Sequence, residues 1–235
     1  MTLQDVMARL EAKGSESVKR IFLRHGAKEP FFGVKVGDMK PIAKAIKGRQ
    51  DLALALYATG NGDAQYLAGM VADGGKLSRK ELGLWARTAS WRMVAGTTVP
   101  WVASEHPDGF ALAQDWIDAK AELVAVAGWA TLGAWVATHP DETLDIKALT
   151  ALLARVERTI HGERNRVRQQ MNAFIIAVGT YVAPLASRAV ATARKVGEVE
   201  VDVGDSDCQI PDAEAYILKS RRGQPVAPKR KTVRC

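Results

Sequence analysis

Arg164, Arg166 and Arg168 stand at alternate positions at the start of "ERNRVRQQMNAFIIAVGTYVAP", the stretch from Glu163 to Pro184, and an almost wholly apolar run follows them. Cations are intrinsically unfavourable at the start of a helix, where unpaired N–H groups already favour negative charge. A phosphate bound there accounts for them better than capping does. "ASWRMVAGTTVPW" adds Trp91 and Arg92, with Gly96 beyond them permitting close backbone approach. Lys35, Lys40 and Lys44 form a third basic group. These eight residues (Lys35, Lys40, Lys44, Trp91, Arg92, Arg164, Arg166 and Arg168) are the candidates for holding a nucleic-acid backbone, the arginines and lysines by charge and the tryptophan by stacking.

Other chemistries find no support in residue spacing. The four histidines, His25, His106, His139 and His161, lie far apart, and none has a partner at helical ligand spacing, so no metal site is expected. His106 and His139 stand beside prolines in matching phrases and are expected to be structural. "TGNGDAQ" at Thr59 lacks the Lys-Ser/Thr of a phosphate loop and is a turn between helices. Cys208, in "GDSDC", is not on a nucleophile elbow. No cofactor is expected, and no residue is assigned a catalytic role.

The 235-residue chain has a formal net charge of +7, but the excess is local. Lys219 to Cys235 holds seven basic residues and no acid, and without it the chain has 26 basic and 26 acidic residues. Within that neutral body, Lys13 to Arg49 carries ten basic residues against three acids, and Arg155 to Arg168 five against two. Such segregation can produce one positive face, or simply two solvated helix surfaces. Apolar residues make up 47 % and charged residues 25 %, a globular composition. The longest apolar run, Leu123 to Ala137, is shorter than a membrane span, and no membrane partner is expected. The N-terminus carries acids and no apolar core of a signal peptide, and the two cysteines suggest no disulfide framework. A cytoplasmic location is expected.

Positioning these residues requires helices. "SRKE" at Ser78 has the form of a capping box. Ser15 is expected to cap a helix running to about His25, and Asp38 to cap "MKPIAKAIK". Leu149, Leu152, Leu153 and Val156 fall on one helical face. "WVASEHPD" at Trp101 recurs as "WVATHPD" at Trp135, and "YVAP" at Tyr181 echoes it. Spacings of 34 and 46 residues are those of stacked helix pairs of the HEAT-like kind. The fold expected is therefore all-α, a HEAT-like solenoid of antiparallel helix pairs over residues 1–220. "EVEVDVGDSDCQI" alternates valines and acids and is expected to form a small β-hairpin near 198–210, before a last helix from Asp212 to about Ser220. Residues 221–235 form a basic tail, expected to be mobile from Gln224 onward.

"EPFFGVKVGDMKPIAKAIKG", from Glu29 to Gly48, resembles the opening signature of the AlkD-like DNA alkylation repair family. The "SW" at Ser90-Trp91 and the basic helix start at Arg166 to Arg168 are similar too, and the resemblance spans roughly Ser15 to Pro184. It implies a HEAT-like solenoid whose concave basic face holds duplex DNA. It also implies a glycosylase that releases N3- or N7-alkylated purines without metal, cofactor or base flipping. The family's catalytic positions match poorly: its tryptophan falls on Arg92, its aspartate on Gly96, its arginine near Val126 and its second tryptophan near Ala173. Asp63, Asp115, Asp118 and Glu122 are the nearest carboxylates in sequence. Three readings stay open: a DNA-binding repair protein with full or weakened glycosylase activity, a non-enzymatic module for nucleic-acid backbones, and a protein-interaction solenoid. The expected partner is duplex DNA, bound by a monomer.

Overall fold

The computed structural model describes residues 1–234; Cys235 lies outside the described residues. The fold is all-α. Helices α1 (Leu3–Ala12), α2 (Glu16–Arg24) and α3 (Val36–Ala45) form the N-terminal part. There follow α4 (Gln50–Ala58) with α5 (Gly62–Val71), α6 (Arg79–Thr88) with α7 (Val99–Ala103), and α8 (Gly109–Ile117) with α9 (Glu122–Thr138). The chain then runs through α10 (Ile146–Thr159), α11 (Asn165–Tyr181), α12 (Ala186–Val196) and α13 (Ala213–Arg221).

Local chemistry sets the helix starts. Thr2 and Ser78 head complete capping boxes with Asp5 and Glu81. Asn61, Asp145 and Asp212 cap α5, α10 and α13 with their side chains. Two starts differ from expectation. Ser15 precedes α2, but its hydroxyl turns to Ser17 Oγ at 2.8 Å. α3 begins at Val36, so Asp38 sits inside its first turn, where its charge still suits the dipole.

The helices stack in two layers. Helices α5, α7, α9 and α11 contact one another in succession, while α4, α6 and α8 pack behind their partners and α12 packs behind α11. Short connections make each pair antiparallel. Trp129 meets Phe174, and a Cβ at Gly133 would lie 3.7 Å from that of Ala177, so α9 and α11 run parallel. Gly128 lets α8 press against α9: a Cβ there would lie 2.8 Å from the Ile117 nitrogen. α9 is buried on nearly all sides, as its apolar sequence requires. Leu149, Leu152, Leu153 and Val156 are buried along α10.

Two expectations fail at the C-terminal side. The β-hairpin near 198–210 does not form; no strand exists among the described residues, and one isolated bridge joins Gly14 to Val34. The alternating segment is extended, and Val199 is buried. The Asn165 side chain takes the place of a paired strand. Its Nδ2 donates to the Asp202 carbonyl at 2.8 Å, and its Oδ1 accepts the Asp202 N–H at 2.8 Å. A lone two-stranded hairpin is marginal in water, and one side-chain amide outcompetes the ladder here.

The tail, expected to be mobile, is docked. Ala227 N–H donates to Thr180 O and Arg230 N–H to Ala137 O, both at 2.8 Å. Lys229 Nζ donates to Val136 O and pairs with Asp141 Oδ1, each at 2.8 Å. Arg234 donates to Gly69 O at 2.8 Å and pairs with Glu105. These anchors lie in the last turns of α11, α9 and α5 or just beyond. Those carbonyls lack intrahelical donors or carry the negative end of the dipole, so a basic, proline-bearing segment fits them.

Candidate nucleic-acid interface

Arg92 follows α6 and opens a π-helical turn, Val94–Thr98, that leads into α7. Its Nε donates to the His25 carbonyl at 3.0 Å, and its Nη2 lies 3.3 Å from His25 Nδ1. Desolvation, then the charge of Arg166, lowers the Arg92 pKa. Desolvation, then Arg92, Arg24 and Arg166, lowers that of His25. The imidazole is therefore neutral near pH 7, and its Nδ1 is free to accept from the guanidinium. Neither Arg92 nor Arg166 has an acidic ion-pair partner among the described residues. A half-buried cation whose near neighbours are also cations is a place for an anion to bind.

The three arginines around α11 take separate duties. The dipole at the α11 start is met from within: Glu122 Oε1 accepts the Arg166 N–H at 2.7 Å. Arg164 is committed to structure. Its Nη1 donates to Ala119 O at 2.9 Å and Lys120 O at 2.6 Å, closing the turn after α8, and its Nε lies 3.6 Å from Glu163. The Arg166 side chain donates to Gln169 Oε1 at 3.2 Å, its one side-chain bond among the described residues. Arg168 lines a surface hollow with Glu198, Glu200 and Asp202, and its Nε is buried without a hydrogen-bond partner. Of the three, Arg166 is the one whose charge acts on Arg92, while Arg164 and Arg168 turn to other surroundings.

Lys35, Lys40 and Lys44 are exposed on or beside α3, with no acidic ion-pair partner among the described residues. Trp91 is a packing residue. It is buried, its ring lies 5.5 Å from that of Phe22, and it borders an apolar cavity with Phe31 and Met39. An indole with an apolar cavity beside it buries there rather than facing a base.

Helices α7, α9 and α11 form the floor of an open groove of about 300 Å³. Its lining is mostly small and apolar, including Gly96, Ala130, Gly133, Ala134, Ala173 and Ala177, with Trp129 and Phe174 beneath. Among the described residues no carboxylate lines it. Gly96 lies in the π turn, and a Cβ there would meet Gln170 Nε2 at 3.3 Å and Val126 Cγ1 at 3.5 Å. The Gln170 amide, on α11, fills the space that a side chain from position 96 would need.

The four carboxylates nearest in sequence are committed elsewhere. Asp63 is buried and accepts the N–H groups of Phe32 at 2.6 Å, Gly33 at 2.9 Å and Val34 at 3.2 Å. Burial pushes its carboxyl up, against the pull of those three bonds and of Lys19. Asp115 pairs with Arg79 at 3.7 Å, Asp118 with Arg155 at 2.8 Å, and Glu122 with the α11 start. The histidines beside prolines are structural: His106 Nδ1 accepts the Asp108 N–H at 3.0 Å, and His139 stacks on Trp135 with ring centroids 3.6 Å apart.

Sequence reasoning missed Gln170, Arg24 and the placement of Arg230. Nothing short of the helix offsets signals Gln170, and Arg230 is legible only as one charge among several in a tail.

A family model described as "DNA alkylation repair enzyme" matches residues 6–200. The uncharacterized proteins Lin0241 of Listeria innocua serovar 6a and Lmo0209 of Listeria monocytogenes serovar 1/2a are each 29% identical over 227 residues, covering 94% of this chain and 98% of the relative. A solved structure superposes with a TM-score of 0.91 at 37% identity over 100% of both chains. It is described as representing a new family of proteins related to the HEAT-like repeat DNA glycosylases, with affinity for branched DNA structures.

Proposed function

The chain belongs to the DNA alkylation repair enzyme family, and on that premise we propose that it binds branched and duplex DNA through phosphates and releases no base. The observation that carries this reading is the half-buried Arg92, bonded to the His25 carbonyl and lying beside its Nδ1, with the charge of Arg166 acting on it and no acidic ion-pair partner for either arginine among the described residues. Contacts of this kind position a backbone and carry no sequence information. The affinity of the structural relative for branched DNA supports the same partner class.

The absence of base release follows from the groove. Expelling a cationic alkylpurine leaves an oxocarbenium-like sugar, which a nearby carboxylate stabilises by opposite charge. Position 96 is glycine, its side-chain space is filled by Gln170, and the nearest carboxylates hold backbone N–H groups or surface arginines. Removing one preorganised stabiliser costs about 10²–10³ in rate, and here the flanking aromatic and arginine positions are replaced as well.

The test measures binding of labelled four-way junction and linear duplex across a salt series, beside an assay for free 7-methylguanine and 3-methyladenine from methylated DNA. Binding that falls steeply with salt, weakens in Arg166→Ala and comes without base release is expected. Salt-independent binding, no binding, or rapid base release overturns the proposal.

A further inference from the structure

The docked tail has two kinds of cation. Lys229 and Arg234 are anchors, paired with Asp141 and Glu105 and bonded to helix-end carbonyls. Arg230 and Lys231, between them, are exposed and have no acidic partner among the described residues. Their backbone is held by the Arg230 N–H bond to Ala137 O. Arg230 and Val233 line the groove over α9 and α11, whose own lining there bears no charge. Anchors on both sides thus hold Arg230 at the groove, at the end of the helices opposite to Arg166, and Lys231 beside it at a neighbouring hollow lined by Glu105, Thr138 and His139.

We propose that the segment from Ala227 to Arg234 is a structural strap that gives the groove its second phosphate-binding rim, with Arg230 and Lys231 as the contacts. This rests on the DNA-binding reading above. Arg166 opens α11 and Tyr181, in the groove lining beside Arg230, closes it, so the rims stand about 22 Å apart along the helix. That exceeds the width of either groove of B-DNA, about 12 and 6 Å. The two rims therefore meet separate stretches of backbone, with the uncharged floor between them. Pinning matters because a tethered cation on a loose tail loses rotamer and chain entropy on binding, whereas these have already lost part of it.

The test is Arg230→Ala/Lys231→Ala in the full chain, measured by anisotropy with labelled four-way junction across a salt series, beside wild type and Arg166→Ala. Neither substituted side chain anchors the strap, so the melting temperature is expected to stay within a degree or so of wild type. Affinity is expected to fall roughly tenfold at moderate salt, and the salt slope to drop by roughly two units. A chain ending at Gly223 is expected to lose at least as much affinity. Wild-type affinity in the double variant overturns the strap proposal while leaving the phosphate reading intact, provided Arg166→Ala is weakened. Tighter binding also overturns it, and shows that the strap obstructs the groove. Failure of wild type to bind any DNA sinks both proposals.

Discussion

Arg92 reaches back 67 residues to donate its Nε–H to the His25 carbonyl at 3.0 Å. The contact ties the end of α2 to the turn before α7 and orients a cation whose nearest charged neighbours are cations. A second contact, from Arg92 Nη2 to His25 Nδ1 at 3.3 Å, requires a neutral imidazole, because Nδ1 must accept from the guanidinium.

Stability is expected to fall on mild acidification. His25 and His139 are both held below the ordinary histidine value of 6.5, chiefly by desolvation. Each binds fewer protons in the fold than in the unfolded chain, so stability is full above that value and declines as pH falls through it. Melting temperature between about pH 7.5 and 5.5 should drop in wild type and drop less in His25→Asn/His139→Asn. An equal slope in the double variant would refute the assignment.

Asp63→Ala is expected to destabilise the fold by about 3 kcal/mol, since three backbone N–H groups lose their acceptor. Asp63→Asn should cost less, because its amide oxygen still accepts. Chemical denaturation at pH 7 measures both, and an alanine variant as stable as wild type would contradict the role.

Arg164 and Arg166 should separate cleanly. Arg164→Ala removes two bonds to carbonyls and is expected to cost about 1–2 kcal/mol of stability with little change in DNA affinity. Arg166→Ala, which loses one bond to Gln169, should leave stability nearly unchanged and weaken binding. The reverse pattern in melting and anisotropy measurements would exchange their assignments.

Gly96→Asp is expected to destabilise by about 1–3 kcal/mol, because the new side chain meets Gln170 and Val126. Adding Gln170→Ala should recover part of the loss, with a coupling of about 1 kcal/mol. Additive costs would show that Gln170 does not fill the space.

The layered helical frame was legible because its signals are local. The Ser78 capping box, the α10 leucines and the apolar α9 act within a turn or two of sequence. The hairpin was misread because alternation states only that a segment is extended, while Asn165, 37 residues away, decides what pairs with it. Trp91 and Arg164 have the right types for binding, but the Phe22 ring and the carbonyls of the turn after α8 claim them first. Arg92 stands out in sequence beside Trp91, but its bond to His25, 67 residues away, is invisible to periodicity. The strap was missed because composition gives its charge, whereas the carbonyls that receive it come from three separate helices.

The bond from Arg234 to Gly69 closes a loop of 165 residues. During synthesis, α5 and its neighbours leave the ribosome long before that arginine exists, and domains generally fold as units as they emerge. The helix array therefore assembles with the ends of α5, α9 and α11 still bare, and only later chain can cover them. A contact of such long separation is slow to find and adds little to the folding nucleus. Its loss is expected to speed unfolding while leaving the rate of folding almost untouched.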